Sequence, residues 1–126
     1  MKAHIDLFRK LALDLPEAVE SSHMGHPDFR LNDRIFATLS AQQQGKGTLK
    51  LTLEQQQSFI AEMPTIFAPV QGGWGRMGMT FVDLQQVEQA TLQGALATAY
   101  NNVKLKQAKK TTTSVKRAGR SASRLQ

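Results

Sequence analysis

Cysteine is absent from all 126 residues, which excludes disulfides, thiolate metal sites and cysteine nucleophiles. Long apolar runs are missing as well. No stretch approaches the roughly 20 apolar residues that cross a bilayer. The start, Met-Lys-Ala-His-Ile-Asp, lacks the apolar segment of a secretory signal. These absences predict a cytoplasmic protein with no membrane role. Acidic residues are missing from one region in particular. Positions 104–126 carry eight Lys and Arg and no acid, whereas positions 1–103 carry eight basic and ten acidic side chains. The net charge of +6 therefore belongs to the tail, and the body stands at −2. Aromatics are few, with six Phe, one Tyr and one Trp, so a stacking surface can draw on only a handful of positions.

What is present reads as one domain. An apolar share of 40% with 21% charged residues is that of a globular chain, and the length suits a single core. Leu7, Phe8, Leu11, Ala12 and Leu15 recur at helical spacing until Pro16 ends the helix. From His23 to Leu39, β-favouring residues flank a Gly25–Pro27 interruption and an Asn32-Asp33 turn, the pattern of a hairpin. Ala41–Gly47 is a polar loop, and Thr48–Leu51 alternates as a short strand. Thr52 with Gln55 forms a capping box, so a helix begins there with Phe59, Ile60 and Met63 inward, and Pro64 closes it. Ile66–Val70 is an edge strand, since Pro69 donates no ladder hydrogen bond. Gln71–Gly73 turns the chain. Arg76–Val82 alternates with Met77, Met79 and Phe81 on one face. Asp83 and Gln86 cap a last helix bearing Leu92, Ala95, Leu96, Ala99, Tyr100 and Val103. Beyond Val103 little remains to bury, and disorder is expected over most of 104–126, with its first few residues able to continue the helix. The order is helix, three or four strands, helix, one or two strands, helix. A mainly antiparallel α+β sheet with helices on one face accommodates it.

Several residues together resemble a known family. Gly25-His26-Pro27-Asp28-Phe29-Arg30, Ile35-Phe36-Ala37-Thr38-Leu39, Leu49-Lys50-Leu51 and Trp74-Gly75 before a strand and a final helix are similar, in that order, to the MmcQ/YjbR family over about residues 4–103. The resemblance implies a frataxin-like (CyaY-like) fold. It also implies a DNA-binding role, because the paired hairpins of such proteins are compared with a double-winged surface. It supplies no catalytic set.

Candidate sites follow from side-chain chemistry. His23 and His26 are three apart across a Gly, whereas ligands on a strand share a face at spacing two, and no further ligand completes a set. Neither a metal nor a cofactor is expected. A frataxin-type acidic ridge is missing from the first helix, where only Asp6 and Asp14 lie. Gly45-Lys46-Gly47-Thr48 lacks the spacing of a phosphate loop, and a strand follows it. Gly72-Gly73-Trp74-Gly75 reads as a tight turn. No nucleophile-base-orienter set is readable, so the protein is expected to be non-enzymatic.

Arg30, Phe36, Lys50, Trp74 and Arg76 make the most interesting constellation. On the uncovered sheet face they would form a basic platform with aromatic interleaving, suited to stacking and phosphate contact. Register decides it. A two-residue turn sets Phe29 opposite Phe36 and Arg30 opposite Ile35, while a three-residue turn sets Phe29 opposite Ala37. The bland reading makes Phe36 and Trp74 core and the cations ordinary surface. Two functions are therefore expected. The first is a DNA-binding protein using Arg30, Lys50, Trp74 and Arg76, with Lys109, Lys110, Lys116, Arg117 and Arg120 of the tail adding salt-dependent affinity. The second is a small-molecule- or protein-binding module with a pocket at His26, Phe36 and Trp74. The body's charge separates them, since DNA binding by an acidic body requires its cations to be segregated.

Overall fold

The computed structural model describes residues 2–119, with side chains as far as Lys106. Helix α1 (Lys2–Leu13) leads into strands β1 (Val19–His23), β2 (His26–Leu31) and β3 (Arg34–Thr38). A single 3-10 turn at Gln42–Gln44 precedes β4 (Lys46–Lys50). Then come α2 (Leu53–Glu62), β5 (Phe67–Pro69), the four-residue α3 (Gly73–Arg76), β6 (Met79–Asp83) and α4 (Gln89–Gly119). Six strands form one antiparallel sheet in the order β1-β2-β3-β4-β6-β5. No helix among the described residues is long and apolar enough to cross a membrane.

Two hairpins set the geometry. Met24-Gly25 and Asn32-Asp33 are two-residue loops whose central residues all have positive φ, the signature of a type I′ turn, which matches strand twist. The second hairpin resolves the register question in an unexpected way. Arg30 lies opposite Ile35, as a two-residue turn requires, yet Phe29 lies opposite Ala37. Phe36 is an extra residue, a β-bulge. A bulge lets two successive side chains fall on one side of the sheet. Phe36 and Ala37 are accordingly both buried, while Ile35 and Thr38 turn to the opposite face.

Helices α1 and α4 cover one face. Phe8 meets Phe29 edge-on with ring centroids 5.8 Å apart, and Phe36 meets Tyr100 at 5.6 Å. The Tyr100 hydroxyl donates to the Pro16 carbonyl at 2.7 Å, satisfying its polar end. Gly47 lies directly beneath Phe8, where a Cβ would overlap the ring. Helix α2 packs Phe59 against Phe67 at the β5 end. Its capping box is formed as expected, with Thr52 accepting from the Gln55 N–H and Gln55 accepting from the Thr52 N–H. Phe59, Ile60 and Met63 are only half-buried, and the fully buried residue of α2 is Gln56.

Two local expectations are corrected. Arg76 is helical and the last long strand begins at Met79, because Gly72–Arg76 makes a tight helical turn rather than continuing the alternation. Gly75 permits that turn, since a Cβ there would strike the Val70 carbonyl. Asp83 does not cap α4. It accepts from the Gln85 N–H and the Gln86 side chain and closes a turn, and α4 starts at Gln89.

Candidate functional site

The face opposite α1 and α4 is left open. One row crosses all six strands on that side, formed in register by Ser21, Asp28, Thr38, Thr48, Phe81 and Ala68. Lys50 lines two grooves, one over this face and one between the end of β4, the start of α2 and α4.

The first groove, of about 290 Å3, takes Arg34 from the start of β3, Lys50 from the end of β4 and Lys106 from α4. Thr52, the N-cap of α2, also lines it, and no acidic side chain does. A reciprocal amide pair braces its wall. Asn102 donates to Gln55 Oε1 at 2.7 Å and accepts from Gln55 Nε2 at 3.2 Å. The groove thus joins three cations and a helix N-terminus, whose partial positive charge favours anions.

The second is a trough of about 540 Å3 over the open sheet face, lined by Ile35, Met79, Phe81 and Trp74 among apolar groups and by His23, Thr48 and Lys50 among polar ones. Trp74 is 67% exposed. It is placed by α3, which Gln56 ties to the rest by donating to the carbonyls of Gly75 at 3.0 Å and Met79 at 2.9 Å.

Beside the trough sits a buried charge. Asp28 is fully inaccessible. Its carboxylate accepts from Arg30 Nε at 2.8 Å and Nη2 at 3.0 Å, and from His23 Nδ1 at 2.7 Å. Burial alone would raise its pKa, but the hydrogen bonds and charges of Arg30 and His23 hold it below the ordinary 3.8. Arg30 is raised, chiefly by its hydrogen bond to Asp28. An ionised carboxylate only accepts, so His23 must donate through Nδ1, which leaves Nε2 as the nitrogen available for other partners.

The positions singled out from the sequence divide accordingly. Lys50 and Trp74 share the open side. Arg30 is on that face too, but its guanidinium is engaged by Asp28. Arg76 is exposed at the end of α3, outside both grooves. Phe36 is buried on the helix-covered face against Tyr100, because of the bulge, and does not line a pocket with Trp74. His26 is exposed opposite His23 and lies outside the trough. Lys109, Lys110, Lys116 and Arg117 fall beyond the described side chains, and Arg120 lies outside the described residues. Arg34, Lys106, Asp28 and Thr48 were not signalled by spacing. Only the Asp28-x-Arg30 alternation places two chemically matched groups on one strand face in advance.

The fold and this side of it define a class, an α+β domain with one face of an antiparallel sheet left uncovered by its helices. A model of the YjbR family matches residues 13–102. The chain belongs to that family, which is also called MmcQ/YjbR. Its structure is similar to the crystal structure of the Deinococcus radiodurans protein DR2400, which carries a DUF419 domain, with a TM-score of 0.65 at 20% identity. That likeness covers 76% of this chain and 75% of the other. No curated protein matches.

Proposed function

We propose that this protein is a non-enzymatic DNA-binding protein that grips the phosphate backbone along the groove of Arg34, Lys50 and Lys106. The carrying observation is charge segregation: three cations from three separate elements share one groove that no acid lines, and two of them, Arg34 and Lys50, stand on a body (residues 1–103) whose net charge is −2. Positions 104–126 add eight Lys and Arg and no acid, a basic segment that supplies further salt-dependent attraction to polyphosphate. Phosphate contacts of this kind position a protein without reading bases, so the binding is non-specific in sequence. The CyaY-like architecture implied by the family resemblance and a cytoplasmic site of action belong to the same reading.

Fluorescence anisotropy of the full chain on a labelled duplex, repeated at several salt concentrations, tests it. Affinity should fall linearly in log–log form, by roughly 0.9 per phosphate engaged. The Arg34→Ala/Lys106→Ala double variant should weaken binding equally for unrelated sequences and flatten the slope by about two. Salt-independent binding, or a double variant that binds like the parent, would defeat the proposal.

A further inference from the structure

The trough over the open sheet face contains a group the phosphate groove does not explain. Thr48 is 4% exposed, lies at the centre of the cross-strand row between Thr38 and Phe81, and lines the trough. Its Oγ1 is the one buried side-chain polar atom without a hydrogen-bond partner among the described residues. Its neighbour does not relieve it, since Thr38 Oγ1 is paired with Ser40 Oγ at 3.0 Å. An isolated buried hydroxyl costs free energy unless something completes it.

The surroundings describe what would. Asp28 holds the His23 ring through Nδ1 and is itself held by Arg30, so Nε2 is the nitrogen left for a ligand, and it accepts from an N–H or O–H when the ring is neutral. Lys50 supplies a cation at the rim. No acidic side chain lines the trough, and Asp28 beside it, bonded to His23, is fully buried and paired with Arg30. Ile35, Met79 and Phe81 give an apolar floor, and Trp74 leaves most of its ring uncovered. Apolar walls with a few convergent polar groups are the usual make-up of a small-molecule site, and the volume is within that range.

We propose that this trough binds a planar aromatic carboxylate bearing a ring hydroxyl or N–H. The ring stacks on Trp74, the carboxylate pairs with Lys50, and the polar ring substituent meets His23 Nε2 and Thr48 Oγ1. The proposal does not depend on DNA binding, although Lys50 lines both sites.

Trp74 is the single tryptophan, so its emission reports on this trough alone. The full chain is titrated with 4-hydroxybenzoate, with its methyl ester, which lacks the charge, and with cyclohexanecarboxylate, which lacks the ring. A saturable emission change is expected with the acid, with binding about tenfold weaker for each analogue. Thr48→Val and His23→Phe, which keep shape but remove the polar atoms, should each weaken the acid by about three- to tenfold, as expected for one lost hydrogen bond. Lys10→Ala, on the exposed side of α1 and outside both grooves, should leave acid binding unchanged. Absence of a saturable response to the acid overturns the proposal, as does equal affinity for acid and ester. Unaltered affinity in both Thr48→Val and His23→Phe overturns it too. An oligothymidylate that quenches Trp74 when the acid does not would assign the trough to nucleobases instead.

Discussion

The two faces of the sheet bury side chains by different means. On the covered face, Phe8, Phe29, Phe36 and Leu49 lose all contact with water by packing against α1 and α4, and the driving force is area, about 25 cal/mol per Å2. On the open face the most deeply buried group is a carboxylate. Asp28 stays charged in that position because Arg30 and His23 supply three hydrogen bonds, and its burial tells little about stability by itself, since pairing must first offset desolvation. The covered face is mostly apolar, with Thr80 admitted because its hydroxyl donates to the Gly78 carbonyl, and it specifies the fold. The open face keeps charge and shape at the expense of packing, and it carries the trough proposed above as a binding site.

Removing one large side chain from each face should separate these regimes. Phe36→Ala empties the bulge site under Tyr100 and should cost about 4 kcal/mol in urea unfolding, with the grooves' lining residues untouched. A loss below about 1 kcal/mol would mean that the bulge does not serve to bury Phe36 in the core. Asp28→Ala should cost somewhat less, about 3 kcal/mol, because it leaves the groups around it unpaired. It should also change binding in the trough, which Phe36→Ala should not. Equal effects of the two substitutions on ligand affinity would erase the distinction between the faces.

Acid adds a second contrast. The folded-state pKa of Asp28 is depressed, so its contribution is fully present above the ordinary value of 3.8 and is lost as pH falls from there through the lower folded value. Unfolding free energy measured from pH 6 downward should drop in that window in the parent. It should drop less steeply in Asp28→Asn, in which the titrating group is gone. A parallel decline in both proteins would show that other carboxylates set the acid limit.

The same contrast explains what could be read from the sequence. Covered-face features declare themselves locally. The α1 stripe, the Thr52–Gln55 capping box and the Pro69 edge strand each follow from residues a few positions apart, and all three are formed. The apolar stripe from Leu92 to Val103 is likewise buried. Open-face features depend on partners distant in sequence. Asp28 alternates like any surface strand residue, and only the approach of His23 from β1 reveals that it is enclosed. The Phe36 bulge arises from the pairing of two strands. Neither turn-length alternative by itself accounts for a register that satisfies one at Arg30 and the other at Phe29. Arg34, Lys50 and Lys106 are separated by 16 and 56 residues in sequence, and tertiary packing alone brings them into one groove.

Two neighbouring positions on β4 provide the finest test, because adjacent residues on a strand face opposite sides. Gly47 points to the covered face, where Phe8 occupies the space a Cβ would need. Gly47→Ala should therefore destabilise by about 1–3 kcal/mol through overpacking, despite alanine's better fit to a strand backbone. Thr48 points to the open face with its hydroxyl unpaired. Thr48→Val removes that hydroxyl at nearly constant shape and should be neutral or stabilising, by up to about 1 kcal/mol, in the absence of ligand. The opposite signs at consecutive residues, read by thermal unfolding, follow from which face each residue occupies. If Thr48→Val destabilised the free protein by as much as Gly47→Ala, the threonine hydroxyl would be paired in solution. The open face would then be a completed polar layer rather than a site awaiting a ligand.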